Sequence, residues 1–493
     1  ITIFKNALMQ KKPFSLLLLL ISSFATLNAV AQTQWDTAVE NSNENSLPLV
    51  NISVETAKLS KAEYIGGVIT IFDKEKRTEG QELACFDCMV RYRGATSVNL
   101  AKKSFAVKLI DQLGKDLDAN IFGIRSENSW ILDAMAIDRI RMRNRVIFDA
   151  WNEMSRTPYE TSFGNRNGTL GQYVELYLNG EYHGLYCMSD KIDRKLLGLK
   201  KAKVQSDGSV NVKGVLYKGI NYTEATYLGS YDTSESFDED VWNGWELQYP
   251  DDYPCYDAWK PLMDLIDFAN TSTDNLKQHY QEHLYHDNVV DYALLLMAHN
   301  ILDNNMKNLH ISCVNVNEHE TFLFTPWDLD CSLGGYWNGS HYDYTTNPSI
   351  LTCNRLYTKI LSGNVEDFCG SLKKRWMELS AGILSTERFN SRLDAYAQAF
   401  KESGAWERER NKWNNNPVPL DLEEELAYVK DWYVRNIAQM NYLLEVPTDH
   451  VPFVLQNPEG NEQVIYSLDG KRQIFQPRTG GVFIENGRKV IRK

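Results

Sequence analysis

The spacing of apolar residues changes once along the chain, and this change limits the folds it can adopt. In the first half, apolar side chains alternate or run continuously over short stretches, which predicts strands at 67–72, 88–93 and 104–110. From about residue 257 they recur every three to four residues, which predicts helices. A β-rich part followed by a helical part predicts an α+β fold of two lobes with a cleft between them.

Shorter signals add elements to this division. Residues 129–133 predict a strand that leads into a helix at 138–154. Asn179-Gly180 separates alternating stretches at 172–178 and 183–188, and Asn-Gly at such a place predicts a hairpin turn. The later helices are predicted at 259–269, 276–284, 287–300, 365–383, 386–403 and 422–444.

The predicted organisation is a leader, a large main domain and a small tail. The parts are a signal peptide at 1–31 with its start at Met9, a linker or first strand at 32–60, a main domain at 61–445 and a β module at 450–493. The main domain divides into a β-rich lobe at 61–200, a loop-rich elaboration at 201–256 and a helical lobe at 257–445 that contains a site loop at 300–335.

The N-terminus has the features of an export signal. A basic start is followed by the apolar run Phe14–Phe24 and by the small residues of Ala29-Val-Ala31. We therefore expect a mature protein beginning near Gln32 in the periplasm, at the cell surface or outside the cell. No later stretch approaches the roughly 20 apolar residues of a membrane span, so no stable span is expected.

Composition limits which binding partners and which disulfide bonds are expected. The 52 basic and 65 acidic residues give a net charge of −13, which disfavours nucleic acid as a partner. Eight cysteines in an exported chain allow disulfides. Cys85 and Cys88 have the spacing of a metal knuckle, but there is no second such pair and no paired His. A local bridge or two buried thiols is therefore the interpretation, rather than zinc.

The central stretch from Asn300 to Gly335 carries the clearest chemical signal. Asp303 and Asn308 stand five apart directly after the predicted helix 287–300. An acid that accepts a hydroxyl proton, followed five residues later by an amide that holds a metal, is the spacing of a kinase catalytic loop. Asp and Asn after a helix are also common turn formers, so the spacing needs further context.

That context comes from two more acids. Residues 309–316 and 321–325 predict a hairpin that delivers the chain to Asp328 and Asp330. If 327–331 is extended, both carboxylates point to one face, where they raise each other's pKa unless a cation neutralises them. A divalent metal shared with phosphate oxygens fits that need. A calcium loop is excluded by Leu333 at its sixth position, whereas a glycosidase carboxylate pair stays open because the separation is not visible.

A basic turn in the β-rich half could complete such a site. Gly94, Thr96 and Ser97 offer backbone and hydroxyl donors to phosphate, and Arg93 with Lys103 offers charge. An ordinary hairpin with solvated lysines is the alternative. Lys102 and Lys108 share one face of the following strand and Lys103 the other, so only one set can face the cleft.

A series of segments occurs in a specific order along the chain: RYRGATS, KKSFAVKL, SWILDAMAIDRIRMRN, YVELYLNGEYHGLYCMSDKID, GVLYKG, and DNNMKN leading to PWDLDCSLGG. Through these segments, residues from Val90 to about Leu444 resemble the CotH (spore coat protein H) kinase family of secreted atypical protein kinases. The tail is similar to C-terminal modules that sort some secreted proteins of Gram-negative bacteria to the surface, although it could be a passive strand pair.

The resemblance implies a kinase-like fold with ATP and Mg²⁺ or Mn²⁺ in the interlobe cleft, with Ca²⁺ as an alternative metal. By position, Asp303 would be the catalytic base and Asn308, Asp328 and Asp330 the metal residues. The residues that would bind the nucleotide are Arg93, Gly94, Thr96, Ser97, Lys103, Lys108 and Asp190. Asp190 departs from the family pattern, which commonly has Glu there. The acid orienting the lysine is not evident, and Asp149 or Glu153 on the predicted helix 138–154 could supply it.

The sequence therefore predicts two alternative functions. The first is a secreted, ATP- and metal-dependent phosphotransferase acting on hydroxyls of an exported protein. The second is a catalytically inactive surface protein of the same fold that contacts carbohydrate or protein through its many Tyr and Trp residues.

Overall fold

Strands make up most of the chain before residue 190, as the alternating pattern predicts. The computed structural model describes residues 34–446 and four short strands beyond them. The strands up to residue 189 are β1 Leu49–Val54, β2 Ile65–Phe72, β3 Leu83–Arg93, β4 Ser104–Ile110, β5 Ala119–Asn120, β6 Ser126–Glu127, β7 Ser129–Asp133, β8 Arg156–Thr161, β9 Gly164–Arg166, β10 Gly171–Leu178 and β11 Glu181–Ser189.

Helices dominate from residue 256 onward. The described part of helix α1 covers residues 34–40. The others are α2 Arg143–Met154, α3 Tyr256–Asn270, α4 Thr273–His283, α5 His286–His299, α6 Ser349–Thr352, α7 Arg355–Gly363, α8 Phe368–Ser380, α9 Thr386–Glu402, α10 Ala405–Trp413 and α11 Leu422–Leu443. Among the helices described, none is both long enough and apolar enough to cross a membrane. An α+β fold with a β-rich N-terminal region and a helical C-terminal part is thus confirmed.

Seven strands of the N-terminal region close into a barrel, in the order β1-β10-β11-β7-β4-β3-β2. The neighbours are antiparallel except β1 and β10, which run parallel and pair Leu49 with Glu175. Apolar side chains such as Val90 and Val107 fill the interior because alternate residues of each strand point inward. The outward residues of β3, β4 and β7 include Arg93 and Asp133, which therefore face away from the barrel core.

A second sheet follows the barrel in the chain, built from β14 Val215–Gly219, β15 Val241–Trp242, β16 Trp245–Tyr249, β17 His310–Asn315 and β18 His319–Thr325. Its order is β15-β16-β14-β17-β18. Residues 201–256, predicted as a loop-rich elaboration, thus supply three of its strands, in addition to the small pair β12 Lys203–Val204 and β13 Val210–Asn211. Strands of two to five residues are too short for alternation to reveal them.

Helix α5 places the site loop. It is buried along nearly its whole length, from Asn288 to His299, and its C-cap Asn300 adopts the left-handed conformation with φ 47°. Asn tolerates this conformation better than other non-glycine residues, and it ends the helix sharply. The chain then turns into the predicted loop beneath the second sheet.

Several element boundaries differ from prediction. The helix predicted from residue 138 begins at Arg143, because Asp138 accepts the Arg143 backbone N–H at 2.7 Å and Arg141 has φ 60°. The helix predicted at 365–383 is a 3₁₀ turn, Val365–Asp367, followed by α8. Helices α7 and α10 were not predicted. The Asn179-Gly180 turn is confirmed, with φ of 52° and 83° at its two residues.

The two alternatives predicted for Cys85 and Cys88, a local bridge or two buried thiols, are both wrong. Both residues lie in β3, where positions three apart point to opposite faces. Cys88 is buried inside the barrel and Cys85 is exposed, and burial raises the pKa of the Cys88 thiol to about 12. All eight cysteines are free in this structure.

The two ends of the chain are described only in part. The predicted signal peptide lies outside the described residues. In the tail, β19 Ile465–Ser467, β20 Arg472–Gln473, β21 Gly481–Glu485 and β22 Arg488–Arg492 form an antiparallel sheet in the order β20-β19-β21-β22. A small β structure matches the predicted strands, and its role in sorting stays a prediction.

Candidate active site

The loop after α5 is held by buried asparagines. The Asn304 side chain accepts the Trp327 backbone N–H at 3.1 Å and donates to the Asp328 carbonyl at 3.5 Å. Asn305 donates to the Ile350 carbonyl at 2.5 Å. Asn308, with φ 63°, donates its backbone N–H to the Gly219 carbonyl at 2.8 Å. These bonds fix Asp303 relative to Asp328, although 24 residues separate them.

The segment with Asp328 and Asp330 is not a strand, so the condition under which both carboxylates would point to one face, an extended 327–331, is not met. Asp328 has φ 57° and Leu333 φ 50°, so the chain turns twice within six residues. The Leu329 N–H donates to the Asn144 side chain at 3.1 Å, and Leu333 N–H donates to the His299 carbonyl at 2.9 Å. Left-handed conformations in non-glycine residues tend to gather at functional sites. The two carboxylates are brought together by this turn rather than by strand alternation.

Four carboxylates lie within electrostatic reach of one another. Asp328 is exposed to solvent, yet surrounding protein raises the pKa of its carboxyl, and repulsion from Asp133 adds to the rise. Burial, followed by repulsion from Asp328 and Asp133, raises the pKa of Asp330 well above its ordinary value. Repulsion from Asp303 also raises the pKa of both carboxyls. Such an arrangement favours the binding of a cation.

Three cations accompany these acids without forming ion pairs among the described residues. The Arg93 guanidinium and the Lys218 ammonium both lie over the Trp327 ring, 5.4 and 5.9 Å from its centroid. Lys307 lies 5.6 Å from the centroid of the Tyr222 ring. Burial lowers the pKa of Lys218; Glu246 opposes this shift, and repulsion from Arg93 adds to it. Unpaired cations beside unpaired carboxylates are suited to an anion and a metal bound together.

The lysines proposed from the sequence have other contacts. Lys103 donates to the carbonyls of Val98 and Leu100 at 2.6 and 2.7 Å, so it supports the turn after Arg93. Lys108 lies 5.0 Å from the centroid of the Tyr64 ring. Both are structural contacts, and the phosphate-binding roles of the two lysines stay predictions. In the same turn, Gly94 has φ 115°, and a Cβ there would overlap the Ser97 hydroxyl.

Asp190 is fully buried and its carboxylate is already occupied. One oxygen lies 2.8 Å from Arg166 Nη2 and 2.9 Å from Arg125 Nε, and the other accepts the Leu170 N–H at 2.9 Å. None of these partners is another predicted site residue. Its contacts describe a structural ion pair, and its role toward the nucleotide stays a prediction.

The acid paired with a lysine does not come from α2. Asp149 binds Arg145 and Tyr396, and Glu153 pairs with Arg388 and Arg392, a set that contains no lysine. Glu409 on α10 instead binds the buried Lys102 at 2.6 Å. The pair is sealed from solvent, so it holds α10 against the barrel rather than reaching the cleft.

Asp303 and its neighbours meet the requirements of a proton acceptor. The Tyr222 hydroxyl donates to Asp303 Oδ1 at 2.6 Å, which shows that a hydroxyl can reach this carboxylate. Partial burial and the hydrogen bond to Asp303 raise the pKa of Tyr222, so this hydroxyl keeps its proton at neutral pH. A base must be within about 2.6–3.2 Å of the proton it removes, and Asp303 meets that condition here.

The acids fit a metal that takes only part of its ligands from the protein. Within the described part of the chain, no three His, Cys, Asp or Glu side chains converge as a ligand set. The carboxylates of Asp328 and Asp330 receive no hydrogen bond or ion pair from described residues, and neither does the Asn308 side chain. Mg²⁺ is commonly held by one or two carboxylates together with phosphate oxygens and water. The residues therefore suit a metal that arrives with a phosphate ligand.

Four functional candidates were missed from the sequence: Lys218, Lys307, Asp133 and Asn144. Asn144 donates to Asp133 at 3.2 Å and accepts from Leu329, so it joins the barrel to the turn between the two acids. A single lysine within the otherwise apolar strand β14 was a usable signal for Lys218. Nothing local distinguishes the other three.

Comparison with known proteins identifies one family that matches most of the chain. The family described as CotH kinase protein matches residues 90–440, which include the basic turn, Lys218, the site loop and both acids of the turn. No match is found among curated proteins. Because the family match covers more than two thirds of the chain, the protein belongs to the CotH kinase family.

Proposed function

We propose that the protein is an ATP- and divalent-metal-dependent phosphotransferase that acts on hydroxyl groups of exported proteins. The observation that carries this proposal is the group of three cations, Arg93, Lys218 and Lys307, beside the carboxylates of Asp328 and Asp330; none of the five forms an ion pair with a described residue. A nucleotide triphosphate with its metal satisfies both sets at once, because phosphate oxygens bind the cations and share the metal with the acids.

Each residue has a defined task in this proposal. Arg93 and Lys218 would hold the phosphate chain, with Trp327 fixing both cations in place. Asp328 and Asp330, with the Asn308 amide, would hold the metal, which supplies neutralisation of the phosphate charge. Asp303 would accept the proton of the attacking hydroxyl. Positioning and electrostatics account for most of the rate in this class of reaction.

A binding experiment tests the proposal. Addition of ATP with Mg²⁺ should raise the unfolding temperature of the wild-type protein, as ligands of the native state do. Lys218→Ala should weaken nucleotide binding about tenfold or more, because a charge-assisted hydrogen bond contributes roughly 1.5–3 kcal/mol. Lys213→Ala is the matched control, since Lys213 is half-buried just before the same strand and about 15 Å away along it.

Absence of any ATP-induced shift in the wild-type protein would contradict the proposal. If Lys213→Ala and Lys218→Ala weaken nucleotide binding equally, only the role proposed for Lys218 is contradicted.

Metal dependence is a second expected result. Asp328→Asn should weaken the binding of Mn²⁺ in the presence of a non-hydrolysable ATP analogue by at least about tenfold, because it removes one of two carboxylate ligands. Electron paramagnetic resonance of free Mn²⁺ measures this directly. Asp343→Asn, which changes an exposed acid in the loop after the site, should leave the affinity unchanged. Mn²⁺ affinity that is the same in all three proteins would rule out Asp328 as a ligand.

One observation favours the second candidate, an inactive surface protein that contacts carbohydrate. Trp337 is 64 % exposed and Tyr344 37 % exposed, both within ten residues of Gly335 and beside the site. Exposed aromatic rings are common at binding surfaces. This candidate predicts binding of soluble polysaccharide in affinity electrophoresis without any response to ATP.

A further inference from the structure

The Tyr222 hydroxyl occupies the position that an acceptor hydroxyl needs. It donates to Asp303 Oδ1 at 2.6 Å, within the range required for proton transfer to a base. Tyr222 belongs to this chain, in the loop between β14 and β15. The proposed catalytic base is therefore already in contact with a hydroxyl of the protein itself.

The backbone around Tyr222 holds it at this place. The Gly219 carbonyl accepts the Asn308 N–H at 2.8 Å, and the Gly219 N–H donates to the Leu309 carbonyl at 3.0 Å. A Cβ at Gly219 would overlap the Met306 carbonyl, so only glycine allows this close approach. Ile220 N–H donates to the Gly244 carbonyl at 2.9 Å. The loop that carries Tyr222 is thus docked on the loop that carries Asp303.

The side chain is also accessible to a nucleotide. Tyr222 is 51 % exposed, so its ring is open to solvent rather than packed in the core. Lys307 lies over this ring, and it acts electrostatically on Lys218, one of the two cations over Trp327. A phosphoryl group held by these cations would therefore lie on the same side of the molecule as the Tyr222 oxygen.

We infer that Tyr222 is an internal phosphate acceptor of this protein, modified in its own active site. The inference rests on the proposed function, which supplies ATP as the donor. In the step, Tyr222 Oη forms a bond to the γ-phosphorus while the bond between that phosphorus and the β–γ bridging oxygen breaks. The phenolic proton passes to Asp303 Oδ1, and ADP leaves with the bridging oxygen and its electron pair.

The product would no longer fit against Asp303. A phosphate on Tyr222 carries close to two negative charges and repels the carboxylate that previously accepted its hydrogen bond. Lys307, whose ammonium lies 5.6 Å from the centroid of the Tyr222 ring, offers the modified side chain a cation. Self-modification would thereby vacate Asp303 for an external hydroxyl, so that each molecule performs it once.

The test follows phosphate onto Tyr222. The full chain is incubated with γ-labelled ATP and Mn²⁺ at several protein concentrations, and labelled peptides are identified by mass spectrometry. We expect up to one phosphate per molecule, on Tyr222, at a rate per molecule that does not change with protein concentration. Tyr222→Phe should lose this label almost completely. Tyr227→Phe is the matched control because Tyr227 lies in the same loop and has no hydrogen bond to Asp303.

The possible outcomes distinguish this inference from the proposed function on which it rests. Transfer of phosphate to dephosphorylated casein or to water, without label on Tyr222, would leave the proposed function standing and overturn the inference. Labelling of Tyr222 at a rate that rises with protein concentration would overturn its internal character. If ATP neither shifts the unfolding temperature nor labels any residue, both proposals are overturned.

Discussion

Replacement of Asp303 by Asn is expected to lower the rate of phosphate transfer by roughly 10²–10⁴-fold, the usual contribution of a positioned general base. An amide has the shape of the carboxylate and its oxygen can still accept the Tyr222 hydroxyl hydrogen bond, so the loop should keep its conformation. It cannot accept a proton. The loss should therefore appear in kcat, while the affinity for ATP changes little.

The measurement compares labelling of an acceptor with thermal shifts induced by ATP. Asp287→Asn is the matched control: Asp287 is exposed in the first turn of α5, the helix that leads to the site loop. The substitution removes only the favourable interaction of this charge with the helix N-terminus, which contributes about 0.3–1 kcal/mol. Full transfer activity in Asp303→Asn would show that Asp303 is not the base, even if the protein is a kinase.

Replacement of Glu409 by Ala is expected to cost about 3–5 kcal/mol of unfolding free energy. Its carboxylate binds Lys102 Nζ at 2.6 Å and Arg141 Nε at 2.9 Å, and it accepts the Leu185 N–H at 2.8 Å. Burial by itself would raise the pKa of Glu409, but the charges of Lys102 and Arg141 more than offset this and hold the pKa below its usual value. Removing the carboxylate leaves two buried cations uncompensated.

Equilibrium unfolding in urea measures the effect. Glu407→Ala is the control on the same helix, because Glu407 is exposed and its one ion pair with a described residue is to Arg410, at 3.0 Å. Exposed pairs of this kind contribute about 0–1 kcal/mol. Equal loss of stability in the two variants would show that the buried pair does not hold α10 to the barrel.

These two residues illustrate what kind of information the sequence contains. Asp303 was identified because its partners, Asn308 and the end of α5, lie within a few positions along the chain. Glu409 was not, because its partners Lys102 and Arg141 lie about 270–310 residues earlier, and α10 is too rich in charge for its apolar face to be evident. Local spacing predicts elements and loops, whereas ion pairs across the fold leave no pattern in a single sequence.

The barrel shows the same division. Strands β3 and β4 and the Asn179-Gly180 turn follow from alternation and turn chemistry. Closure of the barrel depends on the parallel pairing of β1 with β10, which joins residues more than 120 positions apart. No periodicity in either strand indicates that partner, so only the tertiary structure reveals a closed barrel.

For the site as a whole, the sequence by itself indicated the acids: Asp303, Asp328 and Asp330 were predicted from their spacing and from the resemblance of the segments around them. The tertiary structure decided which cations accompany them. Arg93 was predicted and lies over Trp327, while Lys103 and Lys108 have structural contacts and Lys218, from the second sheet, takes the place beside Asp328. The reason is physical: alternation tells which face of a strand a lysine occupies, but the fold determines what that face meets.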